Sequence, residues 1–446
     1  MKKRIIMWML AALLPVMVWG QTEQLIDGIK YELNSSTKKA SVVQGSTKVS
    51  GDLIIPETFN YGGTTYTVNL IDFMAFYNCT GITSISLPNT VYLISRGAFQ
   101  GCTGLTSINL PSSLMYLYDA FEGCTGLTSI HIPANVFMIE NECFSGCTGL
   151  TVMTVDNENE DYESPAGSNC IIKKETKELV AGCKTTVIPD GVTSIGDYAF
   201  RYMTDIVSVD IPSSVTSIGD FAFGNIDNLT SVVIPNSVET IGYAAFVWAK
   251  NLTEVTIGSG VKSIQLDAFG DCSQLKTVKM FTTTPPEITF PYDYDEEMDA
   301  FSSYGKPSLR SNITLYVPST AVATYQADPY WGQFKEVLPL PNKCATPSIT
   351  LVDGKVSCTC DTEDVTFKTT ISRELTGNDV LVNGTYTIRV VASREGYEDS
   401  DPVDYTVDMT EETVTMEGDV NGDGVVNAAD AVRVANIIMN NDGQVE

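Results

Sequence analysis

The residues best suited to chemistry lie near the C-terminus. In DVNGDGVVNAADAVRVANIIM (419–439), Asp419, Asn421, Asp423, the carbonyl of Val425, Asn427 and Asp430 occupy positions 1, 3, 5, 7, 9 and 12 of a loop, and Gly424 stands at position 6. Oxygen ligands at that spacing wrap one hard cation, and glycine permits the sharp turn, so the stretch reads as a Ca2+ site. The residues that follow form a helical pattern with Val432, Ala435, Ile438 and Met439 on one side. The alternative is a solvated acidic tail. A second candidate is FEGCTGLTSIHIP (121–133), where the single histidine of the chain, His131, follows Cys124 by seven positions. Nucleophile pairs and metal sites are built from these two residue types.

The elements around Cys124 and His131 decide that question. Phe76, Phe99, Phe121 and Phe144 recur at intervals of 23, 22 and 23, and Phe200, Phe223, Phe246 and Phe269 recur every 23. A fixed period of this size predicts a solenoid, whose units cannot bury their apolar faces alone and must stack. Within a unit, LTSINLP alternates as a short strand, with Leu105, Ile108 and Leu110 inward and Ser107 and Asn109 outward. The proline that follows, as at Pro111, lacks a donor and ends the strand. A second apolar set, Val215, Ile218, Ala222 and Phe223, fills the next side of the coil.

Three positions after each Phe stand Cys79, Cys102, Cys124, Cys147, Met203, Ile226, Ala249 and Cys272. A cysteine that alternates with Met, Ile and Ala is a small buried hydrophobe. His131 belongs to the outward column Ser86, Asn109, His131, Thr154, Asp210, Val233, Thr256 and Lys279. The two residues are therefore expected on opposite faces, as a core thiol and a surface imidazole. Stacked thiols one coil apart approach disulfide distance, but the interchange with Ala and Met favours reduced thiols.

This order of residues resembles the BspA-like leucine-rich repeats of bacterial surface proteins, in which units like TSIGDYAFxGCTGLTSIxIP recur. The resemblance covers residues 25–340 and includes two flanks. DGIKYELNSSTKKASV (27–42) is similar to the opening cap of the family, and NITLYVPSTAVATYQADPYWGQFKEV (312–337) to its closing cap. Caps cover the open sheet edges of a solenoid. The longer interval from Phe144 to Phe200 contains NCIIKKETKELVAGC, similar to the hairpin-bearing repeat of the family, whose flanking Cys170 and Cys183 could pair. Adhesion at a cell surface is what the resemblance implies.

The organisation follows. Residues 1–20 read as a secretory signal peptide, with basic Lys2, Lys3 and Arg4 before an apolar run. Residues 21–280 read as the capped solenoid and 281–340 as its closing cap, mainly β in coils of about 23 residues. The segment FPYDYDEEMDAFSSYGKPS (290–308) is a solvated loop or a binding loop for a basic partner. Residues 344–408 alternate Val and Thr runs with turns and read as a small β-sandwich, resembling immunoglobulin-like or chitobiase C-terminal modules. Cys358 and Cys360 share a strand face there, and Cys344 could pair with either or all three could be free. Residues 417–446 resemble half of a type I dockerin, whose position 12 is also Asp; a dockerin has two such units and this chain has one. Calcium binding carries over to these residues, and cohesin docking carries over less safely.

The net charge of -28 becomes -31 without the three basic residues of the leader. Such a surface repels phosphate backbones and anionic lipid, so nucleic acid and membranes are poor partners. No later apolar run approaches the roughly 18 residues that span a bilayer. With one histidine on an outer column and no recognisable pair of carboxylates, enzyme chemistry finds little support. The expectation is a secreted or cell-surface, non-catalytic interaction protein that binds an extracellular protein or glycan ligand through Ser107, Asn109, Ser129, His131, Ser208 and Asp210. The runner-up is a scaffold carried into a polysaccharide-degrading assembly by its dockerin-like end.

Overall fold

The computed structural model describes residues 21–289, 299–302, 308–341, 348–352, 355–359, 366–373, 384–393 and 402–409. The stretch 1–20 read as a leader, most of the acidic segment 290–308, Cys344, Cys360 and the stretch 419–439 read as a calcium loop and helix lie outside the described residues. Two compact units result, residues 1–339 and 340–446.

The first unit is a solenoid. Its cap is an antiparallel meander of Gln21–Ile26, Ile29–Asn34 and Lys39–Val42, which feeds in parallel onto Thr64–Ile71. From there each coil contributes a very short strand to one side, Leu93–Ile94, Tyr116–Leu117 and Met138–Ile139, all parallel. The alternating pattern of the sequence forms the opposite side. There Ser50–Ile54, Gly81–Ser86 and Ser107–Asn109 pair in parallel, as do Ser129–Ile132 and Val152–Val155. After the hairpin of Cys170–Lys173 and Glu178–Gly182 the short side resumes through Ser194–Ile195, Ser217–Ile218, Thr240–Ile241, Ser263–Gln265 and Glu287–Thr289. The long side resumes only at Ser231–Ile234, followed by Glu254–Ile257, Thr277–Met280, Thr314–Val317 and Glu336–Pro339.

The phenylalanine column is the spine of the core. Ring centroids stack at 5.4 Å for Phe76 on Phe99 and 5.3 Å for Phe99 on Phe121, with near-parallel planes. Each stacked pair adds about 0.5–1.5 kcal/mol beyond the burial of its surface. The backbone beside it forms its own ladder, as in Phe99 N–H to Ala120 C=O at 2.8 Å and Phe223 N–H to Ala245 C=O at 2.7 Å. Leu105 and Ile108 are buried as expected, Leu110 only half so, and Val215, Ile218, Ala222 and Phe223 form the second buried side. One rung escaped the spacing argument: Phe301 stacks on Phe269 at 5.3 Å, although the acidic segment separates them in sequence.

Threonines staple adjacent coils. The hydroxyls of Thr106, Thr128 and Thr151 donate to the carbonyls of Thr83, Thr106 and Thr128, respectively. The closing cap seals the last coil with the helix Val322–Ala327, the buried Tyr325 and Trp331, and a buried ion pair of Arg310 with Asp299 at 2.7 Å. In the second unit Ser348–Val352 pairs antiparallel with Lys355–Thr359, and Thr366–Arg373, Gly384–Ser393 and Val403–Met409 form an antiparallel sheet. Arg389 clamps Asp404 there with two bonds of 2.7 and 2.8 Å.

Candidate interaction surface

The cysteine column is structural. Cys124 is 0% exposed, and its thiol donates to the Phe99 carbonyl at 3.0 Å. Cys102, Cys147 and Cys272 repeat this bond to Phe76, Phe121 and Phe246 at 3.1, 3.0 and 3.2 Å. Burial pushes the thiols of Cys102, Cys147 and Cys272 up to about 12, which leaves them protonated and unreactive at neutral pH. Burial also drives Cys124 and Cys143 well above the usual thiol range. Cys170 and Cys183 are both buried free thiols, so the disulfide considered for the hairpin is not formed. Register explains it, because Cys170 lies opposite Gly182. Cys358 is opposite Ile349 in its strand pair.

His131 is on the other face, with 59% of its side chain exposed. Its Nδ1 lies 3.0 Å from the Thr154 hydroxyl and its Nε2 lies 3.9 Å from Asp156. No catalytic partnership with Cys124 is geometrically open, since one side chain is inside the coil and the other outside.

The outward column is real along the first run of coils. Ser107 pairs in register with Ser84 and Asn109 with Ser86, while Ser129 pairs with Val152 and His131 with Thr154. These side chains stand in rows within two parallel-paired groups, one ending at Ser107–Asn109 and one starting at Ser129–Ile132, between which strand pairing stops. Asp52 at the start of the column accepts from the hydroxyls of Thr83 and Ser84 at 2.7 and 2.6 Å, and these bonds hold its carboxyl below the usual range. Among the described residues no group of three or more His, Cys, Asp or Glu side chains could hold a metal ion.

Ser208 and Asp210 depart from the expectation. Both are exposed, but they lie in no strand, and the column is interrupted between Val152–Val155 and Ser231–Ile234. The cause is a short coil. Twelve positions separate Phe99 from Pro111 and Phe200 from Pro212, whereas Gly182, which takes the Phe place by donating its N–H to Ala199 C=O, reaches Pro189 in seven. That coil lacks the length to lay a full strand on the long side. Sequence reasoning overlooked this gap, and the signal was the spacing from hairpin to proline.

The sequence of residues 69–179 and 177–288 matches the family described as BspA type leucine rich repeat region, in six copies. The repeat region of this chain is similar to the BspA-type leucine-rich-repeat family over residues 69–288. Solved structures similar to this solenoid include a leucine-rich cell surface protein from Faecalibacterium prausnitzii, 22% identical, covering 61% of this chain and 95% of that one with a TM-score of 0.36. The pneumococcal vaccine antigen PcpA is 17% identical over 72% of this chain and 99% of that one, TM-score 0.46. A leucine-rich repeat protein from Eubacterium ventriosum is 17% identical over 64% of this chain and 93% of that one, TM-score 0.42. Comparison with the curated proteins gives no match. Among the described residues no helix is long and apolar enough to cross a membrane.

Proposed function

We propose that this BspA-type protein is a non-catalytic interaction protein of the bacterial cell surface or its surroundings, an adhesin that binds host matrix proteins, mucin or other cells through the long side of its solenoid. The observation that carries the reading is the ordered outward column. Ser107, Asn109, Ser129 and His131 present exposed polar groups on short parallel-paired strands, while the described repeat cysteines are buried in the core. A rigid extended array of hydrogen-bonding groups suits a large partner better than a small substrate. The test is a binding screen of the full chain against immobilised matrix proteins, mucin and polysaccharides. Binding should be saturable and should fall at least tenfold in an Asn109→Arg/His131→Glu variant. Unchanged affinity in that variant would place the ligand elsewhere.

A second reading rests on the oxygen spacing from Asp419 to Asp430, outside the described residues. In it, Asp419, Asn421, Asp423, Val425, Asn427 and Asp430 bind one Ca2+ and the C-terminal end docks a cohesin-type partner of a polysaccharide-degrading assembly. Calorimetric titration with calcium tests the first step, and a pull-down that fails equally with calcium and with chelator would remove the second.

A further inference from the structure

The interruption of the long side is a site in its own right. Among the described residues, no hydrogen bond reaches the backbone N–H or C=O groups of residues 207–211, whereas the equivalent segment one coil later, Ser231–Ile234, is fully laddered onto Glu254–Ile257. The threonine staple also fails here. Thr185 donates to the Thr151 carbonyl at 2.6 Å and Thr253 to Thr230 at 3.0 Å, but of the two positions between them Val207 has no hydroxyl and the Thr230 hydroxyl donates to no carbonyl of residues 207–211. Between the short coil, residues 183–190, and residues 206–212 lies a cavity of about 430 Å³, within the size range of binding clefts.

The lining has the chemistry of a missing strand. Ile206, Val209 and Ile211 are buried or half-buried along it, and Val187 on the facing segment is 67% exposed. Asp190 and Asp210 also line it, exposed and without partners among the described residues, while the nearby Lys184 is already engaged by Asp205 at 3.6 Å. Unpaired main-chain donors and acceptors beside apolar positions that alternate with polar ones are a template for strand addition. The free carboxylates, on a chain of net charge -28, select the sign of the incoming side chains.

We propose that this slot docks one extended segment of a partner polypeptide, carrying alternating apolar and basic side chains and lying beside residues 207–211 as the rung the short coil leaves out. The proposal rests on the reading of the solenoid as an interaction surface and names the partner chemistry for one part of it. Recognition here is main-chain pairing, with valine-sized side chains entering the cavity and lysines meeting Asp190 and Asp210.

The experiment titrates the full chain with a labelled nine-residue peptide in which valines alternate with lysines and threonines, followed by fluorescence anisotropy. Saturable binding is expected, with at least tenfold loss in an Asp190→Lys/Asp210→Lys variant and for the same peptide with glutamate in place of lysine. N-methylation of alternate peptide amides should abolish binding in one register and spare it in the other. Hydrogen exchange should show the amides of residues 207–211 fast in the free chain and slowed by peptide. Amides already as slow as those of residues 231–234, or indifference to N-methylation in both registers, would overturn the proposal. So would a concentration-dependent dimer lost in the charge-reversed variant, since a second copy would then fill the slot. The Asn109→Arg/His131→Glu variant separates the two readings: peptide binding retained by that variant, with matrix binding absent from the wild type, sinks the surface reading alone, and matrix binding without peptide binding in the wild type sinks the slot alone.

Discussion

The coils before the hairpin and the coils after it share one plan and fill two of its columns differently. Two positions after the Phe, the first run carries Asn78 and then Gly101, Gly123 and Gly146, and the second carries Tyr202, Asn225, Trp248 and Asp271, yet all eight have φ between 55° and 72°. The left-handed turn is therefore imposed by the ladder, through bonds such as Gly123 N–H to Ser145 C=O and Asn225 N–H to Val247 C=O, both 2.8 Å. Glycine only makes it cheaper, since a residue with a Cβ gives up about 1–2 kcal/mol there. The second run recovers part of that in side-chain contacts, such as Trp248 Nε1–H to Asp271 at 3.1 Å and the Arg201 guanidinium 4.7 Å from the Tyr202 ring centre. One position further on, the first run has Cys and the second has Met203, Ile226 and Ala249 before Cys272. Most Phe carbonyls are already bonded within their own turn, as Phe99 C=O is by Cys102 N–H at 3.0 Å and Phe200 C=O by Met203 N–H at 3.1 Å, which eases the exchange. The thiol of the next coil adds a second bond.

If the spine is equivalent in the two runs, Phe121→Ala and Phe223→Ala should each cost about 3–5 kcal/mol. Phe121 is stacked at 5.3 and 5.8 Å and Phe223 at 5.2 and 5.1 Å. Urea denaturation followed by circular dichroism measures both. A twofold difference would show that one run carries the stability of the other.

The junction between the runs is the next most sensitive point. A Cβ on Gly182 would meet three atoms of the Phe200 ring, the farthest at 2.8 Å. Gly182→Leu should destabilise by about 2–3 kcal/mol through overpacking and open the chain to limited proteolysis near the hairpin. The same substitution at Gly123, where a Cβ would find only Gly101 atoms at 3.9 Å, should cost less, mainly through its φ of +70°.

The cysteines give the third test. Cys102→Ala and Cys147→Ala should each cost about 1–2 kcal/mol, from lost volume and a secondary hydrogen bond. Both thiols are raised by burial to about 12 in the folded chain from the ordinary thiol value of 9.0. A raised folded value means that the native state holds its proton more tightly than the unfolded one. This contribution is fully present below about pH 9 and is lost as pH rises towards 12. Thermal melts should therefore fall more steeply between pH 9 and 11 in the wild type than in the double alanine variant, and thiol reagents should label these positions only on unfolding. The smallest effect is expected for Trp248→Gly, where relief of the left-handed backbone offsets the lost indole contact to within about 1 kcal/mol. A loss well beyond that would mean the side chains of the second run shape the turn.

Much of this architecture was legible along the chain. The Phe interval announced the coil, and alternation placed Leu105 and Ile108 inward and Ser107, Asn109 and His131 outward, because each depends only on contacts one coil away. Phe301 was missed because the acidic segment broke the interval, although its Asp-Ala-Phe setting repeats that of Phe121 and Phe269. The continuity of the column through Ser208 and Asp210 was expected wrongly, since spacing within that coil is regular and the defect lies in its neighbour.

The sequence by itself determined the period, the inward and outward columns and the inertness of the cysteines. A repeating chain writes its nearest-neighbour contacts into every unit. Tertiary structure alone decided that Gly182 would take a phenylalanine place, that Cys170 would face it instead of Cys183, and that residues 207–211 would pair with no strand. Each of these depends on how coils of unequal length meet in space, which no single unit encodes.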